Sequence, residues 1–176
     1  PKTLALADVE GRKRIPPEEY RNYPAYAYTT QVAAVEVDPK TGEVRLLKVL
    51  AAHDVGRAIN PQKIEGQIEG SCHMAQGYAL SEEYPVEQGH PKVRTYHDLH
   101  VPTIMDAPSV RTLIVEKPDS TGPLGAKGIS EVATVPLTPA ILNAIYDAVG
   151  VRIRDLPATP DKILSALEHR SRSASG

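Results

Sequence analysis

Residues 122–131 read GPLGAKGISE, and no other stretch of the chain combines so many groups able to do chemistry. Gly122, Gly125 and Gly128 can take positive φ and let backbone N–H groups converge on an anion or an oxo group. The stretch runs toward a helical segment, whose positive end would add to that field. Glu131 closes it. A carboxylate there, buried and aimed at a reacting centre, would serve as a general base. The same residues have a plainer reading, in which Ser130 or Glu131 caps the next helix and the glycines only make a turn. The residues alone leave both readings open.

A second candidate lies at residues 65–76, EGQIEGSCHMAQ. On a helix, Gln67, Ser71, Met74 and Tyr78 share one face. The Gln67 carboxamide can both donate and accept toward an amide or oxo ligand; the alternative is an ordinary surface glutamine. His53, Cys72, His73, His90, His97 and His100 raise a metal hypothesis, but their spacing fits no familiar zinc pattern. The glycine stretch is not a phosphate-binding P-loop, because G-x-x-x-x-G-K-[ST] is missing, and no G-x-S-x-G nucleophile elbow occurs.

The elements that position these residues can be read from periodicity. Residues 26–37 alternate and are rich in Tyr, Thr and Val, as a strand requires. Asp38-Pro39-Lys40-Thr41-Gly42 is a turn by composition, and 43–52 continue as the second strand of a hairpin. Asn60 then caps a helix with Pro61 at its first position. Ile64, Ile68, Ala75 and Ala79, with Ser71 or Cys72, form its apolar stripe. Gly66, Gly70 and Gly77 weaken that helix by about 1 kcal/mol each, so it should lie close to a strand or a ligand. Residues 85–108 read as irregular, with a short strand near 93–96. Val110–Glu116 read as a strand, 118–130 as a constrained loop, and 135–148 as a helix ended by Gly150. A last helix starts at Thr159-Pro160-Asp161. Strands early and helices late give an α+β class. The expected organisation is an extended N-terminal arm over 1–25, a domain over 26–169 and a disordered tail over 170–176.

Composition narrows the function classes. The chain of 176 residues is long enough to bury a core. A formal net charge of -2 gives no general attraction to nucleic acid or to a membrane surface. No apolar run is expected to approach the ~20 residues of a membrane helix. The lone cysteine, Cys72, fits a reducing compartment and so a cytoplasmic location. Sixteen prolines, no Phe and no Trp suggest many loops and few aromatic anchors. A chain with that composition, opening on Pro1, is expected to be a piece that packs on a larger body.

Several of these stretches together resemble a known family. HDVGRAINP (His53–Pro61), GQIEG (Gly66–Gly70), GYALSEE (Gly77–Glu83), DLHVPTIMDAP (Asp98–Pro108), GPLGAKGISE (Gly122–Glu131) and PAILNAIYDAVGVRIRDLPATPDKIL (Pro139–Leu164) occur in family order. They resemble the C-terminal part of the molybdopterin-binding large subunit of the molybdenum hydroxylases, the xanthine dehydrogenase/aldehyde oxidase family. The match runs from about Tyr28 to Leu167.

That resemblance implies an α+β fold in which helices pack on a mixed sheet. It implies a molybdenum-dependent oxidoreductase that hydroxylates a purine-like N-heterocycle or an aldehyde with oxygen from water. Glu131 matches the family's catalytic glutamate, a proton acceptor near the metal. Gln67 matches a glutamine beside the oxo and pterin groups. Lys127, Gly128, Ile129 and Ser130 match the loop whose backbone approaches the cofactor. The implied cofactor is molybdopterin, alone or as its cytosine dinucleotide, shared with the rest of the large subunit. Its dithiolene holds the metal, so no protein metal ligand is expected.

The family's large subunit is several times longer than this chain. The implied partners are therefore the remainder of that subunit, together with iron–sulfur and flavin (FAD) subunits or domains, in an oligomer. No cysteine pattern for such clusters occurs here. Two departures stand out: Ser130 where the family usually has Gly, and Met74-Ala75 where many relatives have Gln-Gly. The competing readings are a scaffold that keeps the fold without catalysis and an independent small binding domain.

Overall fold

The computed structural model describes residues 25–174. The expected arm over 1–25 lies outside the described residues except for its last position. The hairpin forms as the alternation predicts. Strand β1 (Thr29–Val37) pairs antiparallel with β2 (Val44–Asp54), with a bulge between Ala34 and Val35. β5 (Ser109–Val115) pairs parallel with the other edge of β2, giving the order β1-β2-β5. The sheet is therefore mixed, and the class is α+β. Two-residue strands β3 (Val86–Glu87) and β4 (His90–Pro91) make a separate small ladder. The strand expected near 93–96 is not there; the chain makes bends and turns. The Asp98 carboxylate accepts the N–H groups of Arg94 and Thr95, which curls the segment away from any ladder.

Helix α1 (Pro61–Leu80) starts where capping predicts. Asn60 Oδ1 accepts the Lys63 N–H at 3.1 Å, and Pro61 takes a position that needs no donor. Its stripe of Ile64, Ile68, Cys72, Ala75 and Ala79 is buried, and Ser71 is buried as well. Helix α2 (Leu137–Val149) buries Leu137, Ile141 and Ile145 and ends at Gly150, whose φ of 67° is the left-handed conformation of a helix stop. α2 crosses β1, and α1 packs against α2 and β5. Both helices thus cover the sheet face that carries Val49 and Ala51.

Helix α3 (Pro160–Ala174) adds Ile163 to the core. It also corrects the expectation of a disordered tail from 170, because the helix continues to Ala174. The Arg170 guanidinium donates to the Val149 carbonyl, and Glu168 pairs with Arg172 one turn on, so these polar residues find partners in helical form. A second correction concerns apolar length. Glu131–Val149, 19 residues with mean hydropathy 1.3, is long and apolar enough to cross a membrane by length and composition. Its Leu137, Ile141 and Ile145 face is instead fully buried in the core of this domain.

Candidate active site

The end of β2 and the glycine-rich loop are joined directly. The Lys127 N–H donates to the Val55 carbonyl and the Arg57 N–H to the Gly125 carbonyl, each at 2.9 Å. These bonds flank Gly56, whose φ is 66°. A Cβ at Gly56 would run into the Gly125 carbonyl oxygen, so only glycine lets the loop come this close. Behind the bridge, Lys127 Nζ lies 2.6 Å from Asp54 Oδ2, and both side chains are 6% exposed. Burial alone would raise the Asp54 carboxyl. The hydrogen bond from Lys127, the Gly56 N–H at 3.0 Å and the Lys127 charge outweigh it and hold the group below its ordinary value. Lys127 was expected to approach a cofactor; its ammonium and its N–H are both committed inside the chain. Asp54 was missed by sequence reasoning because its partner is 73 residues away.

Beyond Lys127 the loop changes character. The N–H groups of Gly128, Ile129 and Ser130 make no hydrogen bond to any described residue. Ile129 packs against the core and anchors the strip from below. The Ser130 carbonyl accepts the Gln67 Nε2 at 3.3 Å and the Ser71 hydroxyl at 3.5 Å. These bonds fasten the loop to α1 at the turn containing Gln67. Ser130 has φ of -63°, outside the left-handed region that favours glycine. Ser130 makes no side-chain cap. Ala75, the other departure, is fully buried, and its carbonyl accepts the Thr138 hydroxyl at 3.2 Å.

Glu131 is exposed and opens a single 3-10 turn, Glu131–Ala133, closed by the Thr134 N–H on the Glu131 carbonyl. The Ala133 carbonyl accepts Gln31 Nε2 at 2.8 Å, and the same nitrogen lies 3.0 Å from His53 Nε2. His53 is 1% exposed, and burial lowers its pKa.

The loop, α1 and the end of β2 enclose a cleft of about 490 Å³ lined by Arg57, Asn60, Lys63, Gln67, Lys127 and Ser130 among others. The structure thus brings Gln67 and residues 127, 129 and 130 to one cleft, with Glu131 next along the chain from its rim. Arg57 and Lys63 were not foreseen. Asn60-Pro61 placed Lys63 on the first helical turn, but nothing local shows that the turn faces the glycine loop.

The glycines of α1 divide. Gly77 packs tightly against Glu82 and Pro102, whereas a Cβ at Gly66, Gly70 or Gly128 would meet nothing within 4 Å. Among the described residues, no group of three or more His, Cys, Asp or Glu could hold a metal. The cleft offers an anionic group backbone N–H donors, the Gln67 carboxamide and the Arg57 and Lys63 cations.

A model of the molybdopterin cofactor-binding domain matches residues 7–108. A probable hypoxanthine oxidase of Escherichia coli strain K12 is 42% identical over 146 residues, 82% of this chain and 15% of that protein. The aldehyde oxidoreductase from Desulfovibrio gigas superposes with a TM-score of 0.78 at 35% identity, over 83% of this chain and 16% of that one. The quinoline 2-oxidoreductase from Pseudomonas putida 86 gives 0.72 at 34% identity, over 76% of this chain and 18% of that one. The chain spans only 12% to 20% of the length of such curated relatives.

Proposed function

Because the chain belongs to the molybdopterin cofactor-binding domain family, we propose that it forms part of the large subunit of a molybdenum hydroxylase acting on an N-heterocycle or an aldehyde. The relatives are named as a probable hypoxanthine oxidase, a quinoline 2-oxidoreductase and an aldehyde oxidoreductase, and hypoxanthine, quinoline and aldehydes all offer an electron-poor carbon next to nitrogen or oxygen. The remainder of the subunit closes the cleft, and iron–sulfur and flavin partners carry electrons away.

The residues present fit the pterin cofactor. Gly66, Gly70 and Gly128 leave its approach clear of side chains. The N–H groups of 128–130, which meet no acceptor among the described residues, and the Gln67 carboxamide supply donors, and Arg57 and Lys63 supply positive charge for its phosphate, or for a cytosine dinucleotide. When bound, the group supplies a Lewis-acidic metal and the two-electron redox step. The chain supplies the rest. Gln67 and the 127–130 strip orient the group, Asp54 and Lys127 hold the strip in place, and the Glu131 carboxylate takes up a proton from the attacking oxygen.

One observation supports this reading: Gln67 and Ser71 donate to the Ser130 carbonyl, tying the residue before Glu131 to α1. Glu131→Gln in the assembled enzyme tests it. Turnover should fall by about 10²- to 10⁴-fold, the share of a general base, with molybdenum content unchanged. Unchanged turnover would remove the catalytic role and leave a scaffold.

A further inference from the structure

We propose that Gln31 is a positioning residue for Glu131, acting through the Ala133 carbonyl; this rests on Glu131 being the base. The 3-10 turn that carries Glu131 is pinned at both ends. On the near side, Gln67 and Ser71 hold the Ser130 carbonyl. On the far side, the only side chain among the described residues that donates to the Ala133 carbonyl is Gln31, at 2.8 Å across 102 residues of chain. The first pin belongs to the α1 surface assigned to the cofactor. The second comes from β1 and links Glu131 to the hairpin.

The Ala133 carbonyl, which can only accept, decides which way the Gln31 amide points, and His53 packs beside it. The two residues sit on neighbouring strands, where Thr29 faces His53 and Gln31 faces Ala51. The Gln31 amide nitrogen donates to the Ala133 carbonyl and lies 3.0 Å from His53 Nε2. The Thr29 hydroxyl, which donates to the Ala52 carbonyl, lies 3.2 Å from the same His53 Nε2, so Gln31 and Thr29 share that ring nitrogen. An amide turned the other way would set Oε1 against the Ala133 oxygen and lose the bond. His53 is 1% exposed and Ala133 fully buried, so water is not at hand to take over either role. A shift of the turn by a fraction of an ångström would move the carboxylate relative to a cofactor that Gln67 and the 128–130 strip would bind independently. Such misplacement lowers the rate of the chemical step more than it lowers substrate binding.

The experiment uses the assembled enzyme with Gln31→Met, which keeps length but cannot donate, and Gln31→Glu, which keeps length and polarity but sets a carboxylate against the Ala133 oxygen. Both should lower kcat by about 10- to 100-fold, with KM within about threefold and molybdenum content unchanged. Both should also raise deuterium uptake in the peptide spanning 130–136, a readout independent of turnover. Wild-type kcat and uptake in the two variants would overturn the proposal, as would a loss carried by KM alone. Glu131→Gln, run in parallel, separates the two readings. If it keeps full turnover while uptake still rises in the Gln31 variants, the anchor stands and the base assignment falls.

Discussion

The Lys127 ammonium lies 2.6 Å from the Asp54 carboxylate, and the two side chains are equally withdrawn from water. This pair ties the end of β2 to the glycine-rich loop from inside. A buried ion pair gains little over an apolar pair of the same shape, but removing one partner leaves an uncompensated charge. Lys127→Met should therefore cost about 3–5 kcal/mol in denaturant unfolding. Asp54→Leu combined with Lys127→Met should recover most of that loss. The pair also sets an acid limit. Because the folded carboxyl titrates below its ordinary value of 3.8, its contribution is present above that value and is lost as pH falls further below it. Asp54→Asn should flatten that part of the stability profile.

Cys72 is fully buried on α1, and its thiol is pushed up from 9.0 to about 11, first by burial and then by the nearby Glu69 charge. The unfolded chain ionises first as pH rises. Stability should hold below 9.0, decline between 9.0 and about 11, and level off above. Cys72→Ala should remove that decline, though the lost packing lowers stability at every pH. Thermal midpoints of the two proteins across this range check it. Alkylation of the wild-type thiol at pH 8 should require unfolding.

Gly70 is exposed on α1 with open space where a Cβ would stand. Glycine inside a helix costs about 1 kcal/mol relative to alanine, and no packing in the described chain explains its presence. Gly70→Ala should raise the stability of the chain by about 1 kcal/mol and lower molybdenum content in the assembled enzyme. A stabilised variant with full metal content would mean that the open face of α1 does not meet the cofactor.

What the sequence could show follows the range of each interaction. Local signals were sufficient for α1, whose Asn60 cap, Pro61 and apolar stripe all lie within the helix or beside it. The turn at 38–42 fixed the β1-β2 hairpin in the same way. The parallel pairing of β2 with β5 was not legible, because Lys48–Asp54 and Ser109–Val115 are joined only through α1 and a long irregular stretch. Gln67 and residues 127–131 were named from motifs that hold together as short strings. Asp54, Arg57, Lys63, Gln31 and His53 were not assigned to the site, because each enters through a contact made across folded layers. The helical turns beyond 170 were missed because RSRSASG is polar in composition, while the Arg170 bond to Val149 exists only in the packed chain.

The most direct measurement is the position of molybdenum in crystals of the assembled enzyme, located by anomalous scattering at its absorption edge. The metal peak should lie beside Gln67, with Glu131 the nearest carboxylate of this chain. A peak on the opposite face of α1, near Gln76 and Asp106, or a Glu131 side chain turned to bulk water away from the peak, would contradict the account.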